Sequence, residues 1–126
     1  MLETKDRQHI GREIEARLRE LRGEAESNGE RFSDASVHDL RAFLEALPLA
    51  KRPAIFLLDN GNLRALWKNE AKEQVGLQFL GKNEVQFVIF SQRENSGVMT
   101  REAGVRPLSQ IRALIAELDG ERLLTG

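Results

Sequence analysis

Apolar residues recur along this chain with two different periods, and the change of period divides it into helices and strands. Ile10, Ile14, Leu18, Leu21 and Ala25 follow one another at intervals of four, four, three and four residues, the stripe of an amphipathic helix. The stripe is narrow and the rest of the segment is charged, so this helix either lies on the remainder of the chain or pairs with a partner surface. Gly23, Ser27-Asn28-Gly29 and Ser33-Asp34 break the pattern and read as a linker. Val37, Leu40, Phe43, Leu44 and Leu47 then make a wider helical face, which predicts a core helix. Ser36, with Asp39 three residues on, predicts the N-cap, the shorter acid standing in for the Glu of a capping box, and Pro48 predicts the end.

From Pro53 the period falls to two. Ala54 to Leu58 and Leu63 to Trp67 flank Asn60-Gly61, the signature of a hairpin closed by a two-residue type I′ turn. That register pairs Leu58 with Leu63, Phe56 with Ala65 and Ala54 with Trp67, all on one apolar face. In the next hairpin a two-residue loop would set polar against apolar residues across the strands. A three-residue loop, Gly81-Lys82-Asn83 with Asn83 left-handed, instead pairs Phe79 with Val85, Leu77 with Phe87, Val75 with Ile89 and Gln78 with Gln86. The opposite face then presents Ile55, Leu57, Leu66, Leu80, Val88 and Phe90 beside Arg64, Lys68, Gln78 and Gln86. A solvated sheet face alternates more cleanly than this. Burying each large apolar side chain gains roughly 1.5–3 kcal/mol, so a cover is expected, either a helix of the same chain or another subunit.

Beyond Ser91 the chain turns polar. Asn95-Ser96-Gly97 predicts a turn and residues 98–101 a short fifth strand. Pro107 suits the first turn of a helix whose stripe is Leu108, Ile111, Leu114, Ile115 and Leu118, and Asp119-Gly120 stops it. The sum is an α+β fold: an antiparallel meander of four to five strands, an N-terminal helical pair and a C-terminal helix. Residues 1–30 read as a charged amphipathic helix apart from a single α+β domain over residues 31–126.

Composition narrows the function. The chain has 126 residues, 19 of them Lys or Arg and 20 Asp or Glu, a formal net charge of −1, and no cysteine. Disulfides, thiolate metal sites and thiol nucleophiles are excluded. The near-zero charge argues against a broad attraction to nucleic acid or anionic membranes. The first residues are charged and no apolar run approaches the about 18 residues of a spanning helix, so a cytoplasmic protein without a membrane segment is expected. His9 and His38 have no partner at ligand spacing, and Asp59-Asn60-Gly61-Asn62 lacks the later acid of a calcium loop. No glycine spacing matches a phosphate-binding fingerprint. No catalytic residue, cofactor or metal is therefore assigned, and a non-enzymatic protein is expected.

Two binding surfaces stand out. The apolar second face (Ile55, Leu57, Leu66, Leu80, Val88, Phe90) and the first helix (Ile14, Leu18, Leu21) are candidates for a protein partner or a homodimer. A local excess of arginine, Arg93, Arg101, Arg106 and Arg112, is the alternative, as the footprint of a nucleic-acid-associated regulator. It has no interleaved aromatics and no helix-turn-helix pattern, which makes nucleic acid the weaker reading.

Over residues 53–111, the strings DNGNLRALW and EQVGLQFLG, followed by EVQFVIF and REAGVRPLSQIRALI, resemble a group of short, mostly uncharacterised bacterial proteins. Some of these occur in toxin–antitoxin-like gene pairs. The resemblance covers about half the chain and brings no catalytic motif with it. It implies a non-enzymatic, antitoxin-like protein that binds a partner.

Overall fold

The two periods become two layers in a computed structural model, which describes residues 2–47, 51–92 and 97–125, with side chains from residue 8 onward. Helices α1 (Leu2–Asn28) and α2 (Asp34–Ala46) come first. The strands β1 (Ala54–Leu57), β2 (Leu63–Lys68), β3 (Gln74–Phe79), β4 (Glu84–Gln92) and β5 (Met99–Pro107) follow. Helices α3 (Leu108–Glu117) and α4 (Glu121–Thr125) end the chain. The strands form one antiparallel sheet in the order β1-β2-β3-β4-β5, a simple meander. This is the expected α+β fold. The Pro48 stop and the Asn95-Ser96 turn lie outside the described residues.

On β2, β3 and β4 the odd-numbered residues Leu63, Ala65, Trp67, Val75, Leu77, Phe79, Val85, Phe87 and Ile89 all point to one side and are buried. The helices supply the other half of that core. Ile14, Leu18 and Leu21 come from α1, Val37, Leu40 and Phe43 from α2, and Ile111 and Ile115 from α3, all in the same cluster. Helix α1 packs on β1, α2 over β2 and β3, and α3 over β4 and β5. Phe43 meets Trp67 edge-on at 6.3 Å between ring centroids, and the Trp67 indole N–H donates to Lys51 O at 2.8 Å.

Several local expectations are corrected. Gly23 does not break helix α1, which runs through it to Asn28, where Gly29 at φ +66° closes it in a Schellman turn, Glu30 N donating to Ala25 O. The N-cap of α2 is Ser33, whose hydroxyl accepts from Ser36 N at 3.1 Å. Ser36 does something else. Its fully buried hydroxyl donates to Phe79 O at 2.6 Å and accepts from Leu63 N at 2.9 Å, joining α2 to two strands. Asp39 likewise points to the sheet and accepts from Asn83 N at 2.9 Å. Both satisfy backbone groups that the meander leaves unpaired, and losing such a buried partner costs about 1–3 kcal/mol.

The first hairpin also differs. A type I′ turn needs positive φ at both central residues, and here only Gly61, at +88°, has it. Gly61 N donates to Leu58 O and Leu58 N to Asn62 O, so the loop is three residues, Asp59-Asn60-Gly61, a type I turn with a glycine bulge. The register moves by one: Ala54 faces Leu66, Ile55 faces Ala65 and Leu57 faces Leu63. A one-residue slip inverts a strand. Ile55 and Leu57 therefore turn to the core, while Ala54 and Phe56 turn out. The second hairpin has the expected register, with Asn83 at φ +58°. Strand β5 is nine residues long rather than four.

Candidate functional site

The side of the sheet away from the helices is built from the even residues of β1 to β4 and the odd residues of β5. Cross-strand pairing sorts them into rows. Ala54, Leu66, Gly76, Val88 and Ala103 are successive partners across all five strands, a non-polar row. On one side of it runs Phe56, Arg64, Gln78, Gln86 and Val105. On the other lie Lys68, Gln74, Phe90 and Arg101. Phe56 is 40% exposed and Val105 44%, high values for large apolar side chains. None of the outer residues belongs to the core cluster, where all four helices bury their apolar residues.

The polar groups of this face are organised around its centre. Gly76 has no side chain, and the Arg64 guanidinium occupies the space above it: a Cβ there would stand 2.8 Å from Nη2 and 3.4 Å from Nε. A cation is thus laid into the non-polar row between Leu66 and Val88. Gln78 is tied down on three sides. Its Oε1 accepts from Asn60 Nδ2 and Asn62 Nδ2, both at 3.0 Å, and its Nε2 donates to Gln86 Oε1 at 3.0 Å. Arg101 lies 6.0 Å from the Phe90 ring centroid. Arg64, Lys68 and Arg101 are opposed on this face by Glu84 alone among the described residues. The face is cationic on a chain whose formal charge is −1.

The predicted partner residues divide. Leu66, Val88 and Phe90 lie on the outer face, and Leu80 is half-buried at the β3–β4 hairpin. Ile55 does not, because the hairpin slip buries it. Leu57 is half-buried against the core for the same reason. Ile14, Leu18 and Leu21 are 3–6% exposed and bound into the chain's own core, so α1 packs in cis through these residues. Phe56, Val105 and Ala103 were missed; the first two signals were concealed by the turn type and by the polar look of β5.

The described arginines of the patch do not assemble. Arg93 is outside the described residues. Arg101 and Arg106 sit on opposite faces of β5, since their positions differ in parity. Arg112 is on α3, donating to Ala46 O at 3.2 Å and pairing with Glu121 at 3.8 Å.

Two further features gather charged side chains. Between α1 and α2 lies a groove of about 980 Å³ with Ile10, Ile14, Leu44 and Leu47 at its base. Arg41 crosses it to Glu15 in a two-pronged pair of 2.9 and 2.6 Å, and that carboxylate raises the arginine's pKa. The groove's central charges therefore satisfy each other. Glu73 is buried at the far end of the sheet. It accepts from Gln92 N at 2.9 Å, from Asn69 Nδ2 at 3.0 Å and from Arg122, which together pull its pKa down to about 2 against the cost of burial. Its oxygens are consumed in clamping the β2–β3 loop to β4 and α4, a structural role. Among the described residues no three His, Asp or Glu side chains come close enough to hold a metal ion, and no helix is long and apolar enough to cross a membrane.

No family model, no curated protein and no solved structure matches the chain.

Proposed function

We propose that this chain is a non-enzymatic protein-binding module of the cytoplasm, and that the outer sheet face is where its partner sits. The observation that carries this is the non-polar row Ala54, Leu66, Gly76, Val88 and Ala103, flanked by Phe56, Val105 and Phe90, on the side that the helices leave open. Isolated surface leucines need no explanation, but a non-polar row across a whole sheet, interrupted only where Arg64 lies over Gly76, is the mark of an interaction site. Arg64, Lys68 and Arg101 select the partner's chemistry: a polypeptide bringing an apolar stripe with carboxylates beside it, such as an amphipathic acidic helix. The antitoxin-like role implied by the resemblance fits this reading, with the toxin as the polypeptide on that face.

The test is retention of a partner. The tagged chain is purified under native conditions from its source cells and its companion identified by mass spectrometry. The double variant Leu66→Glu, Val88→Glu is then compared with the wild type, with far-UV circular dichroism and Trp67 fluorescence as controls of folding. Support is a companion protein held by the wild type and lost by the folded double variant. A companion held equally by both removes the outer face from the account. Binding to RNA or DNA that weakens steeply with salt would transfer the face to nucleic acid.

A further inference from the structure

The two edges of the sheet are treated differently. In an antiparallel ladder, directly opposed residues alternate between bonded and non-bonded pairs, so one known bond sets the phase of a whole strand. Leu58 N donates to Asn62 O, which makes Phe56 and Ala54 the bonded partners of β2 and turns the backbone groups of Ile55 and Leu57 outward. That edge is short and guarded: α1 packs against it, and Arg17 Nε donates to Ile55 O at 3.1 Å. At the other edge, Leu108 N donates to Asn83 O at 2.6 Å, extending the β4–β5 register. The bonded residues of β5 are therefore Arg106, Gly104, Glu102 and Thr100. The N–H and C=O groups of Met99, Arg101, Ala103 and Val105 point away from the sheet. Among the described residues their only bond is a 3.3 Å contact from Arg106 Nη1 to Val105 O. A long, straight, unpaired strand is a template for another strand, and proteins normally blunt such edges. Here β5 runs for nine residues, and Pro107 blunts only its end.

We infer that β5 pairs antiparallel with β5 of a second copy of this chain, joining two sheets into one. The occupant is argued from charge. A two-fold axis at Gly104 sets Ala103 opposite Val105 of the second copy and Gly104 opposite its own equivalent. On the helix side it sets Glu102 directly opposite Arg106 of the second copy, an attractive cross-strand pair. Moving the axis to Arg101 or Glu102 would confront like charges, and moving it to Ala103 would set Glu102 diagonal to Glu102 of the second copy as well as to Arg106. Glu102 and Arg106 are exposed and have no ion-pair partner among the described residues, so both are available. The isologous symmetry uses each attraction twice. The dimer also carries the non-polar row from Ala103 into Val105 of the second copy, doubling the outer face. The inference is independent of what binds that face.

Sedimentation equilibrium on the full chain over a wide concentration range tests it. The wild type is expected to show a monomer–dimer equilibrium. Ala103→Pro should abolish the dimer, because it removes an outward N–H and no bond inside the sheet. Glu102→Arg should weaken dimerisation by about tenfold or more, and adding Arg106→Glu should restore it. Leu66→Glu, Val88→Glu should leave the dimer intact, which separates this inference from the outer-face reading. A wild type that stays monomeric overturns it, as does a dimer that survives Ala103→Pro or a charge swap that rescues nothing.

Discussion

The two faces of the sheet are made by the same strands and carry opposite kinds of residue economy. The inner face is uniform: Val75, Leu77, Phe79 and Val85 are at 0% exposure, and Ser36 and Asp39 satisfy the strand ends. The outer face is mixed, with non-polar residues in the central row and Arg64, Gln78, Gln86 and Arg101 around them. The inner face sets stability because its side chains on β2, β3 and β4 lose water on folding. The outer face contributes little to the isolated chain and is free to serve recognition. If this division is right, substitutions on the two faces should separate stability from association.

The largest separation is expected at Phe79. Its ring is fully buried, 5.9 Å from Phe43 between centroids, under the α2 helix. Phe79→Ala removes that packing and leaves a cavity, a loss of about 3–5 kcal/mol in urea unfolding. A loss under about 1 kcal/mol would mean that the helix layer is not the main cover of the sheet.

The next effect is set by pH at Glu73. With a folded pKa of about 2 against an ordinary 4.5, this carboxyl is ionised in the folded chain where it would already be protonated in the unfolded one. Its contribution is complete above about pH 5 and lost as pH falls through 4.5 toward 2, with a magnitude of about 3 kcal/mol. Glu73→Gln should remove most of that acid sensitivity. Urea unfolding of both proteins at neutral pH and at pH 3 checks this: a wild-type chain as stable at pH 3 as at neutral pH contradicts the clamp.

The legibility of the two faces differs for physical reasons. Inner positions on β2, β3 and β4 are readable because burial enforces strict alternation, and a mixed pairing such as Phe79 with Gln86 is visibly wrong. The helical stripes are readable in the same way: Leu108, Ile111, Leu114, Ile115 and Leu118 all pack toward the core. Strand β1 was not, since Ala54 to Leu58 is apolar throughout and either parity buries a hydrophobic residue. The deciding information was one bulge residue, Gly61, whose added Cβ would stand 2.8 Å from Arg31 Cβ. The full length of β5 was hidden because an edge strand with both faces wet has no apolar alternation to display. Glu73 was illegible because its partners Gln92 and Arg122 are remote in sequence, 19 and 49 residues away. Leu66, Val88 and Phe90 are legible on the outer face because they alternate with the buried residues of β2 and β4.

The smallest and sharpest test applies one substitution to both faces of neighbouring positions. Val85 lies in β4 on the inner face at 0% exposure; Val105 lies in β5 on the outer face at 44%. They occupy adjacent rungs of one ladder, Val85 opposite Arg106 and Val105 opposite Gln86. Valine to threonine keeps shape and β-branching, so strand preference is held constant and only the environment of the new hydroxyl differs. At Val85 the hydroxyl enters a core of Phe79, Phe87 and Ile111 and should cost about 1–3 kcal/mol. At Val105 it meets water, and the change should stay within about 0.5 kcal/mol. Equal costs at the two sites would mean that something covers Val105 in solution, and a cost at Val105 that grows with protein concentration would identify the cover as a second copy of the chain.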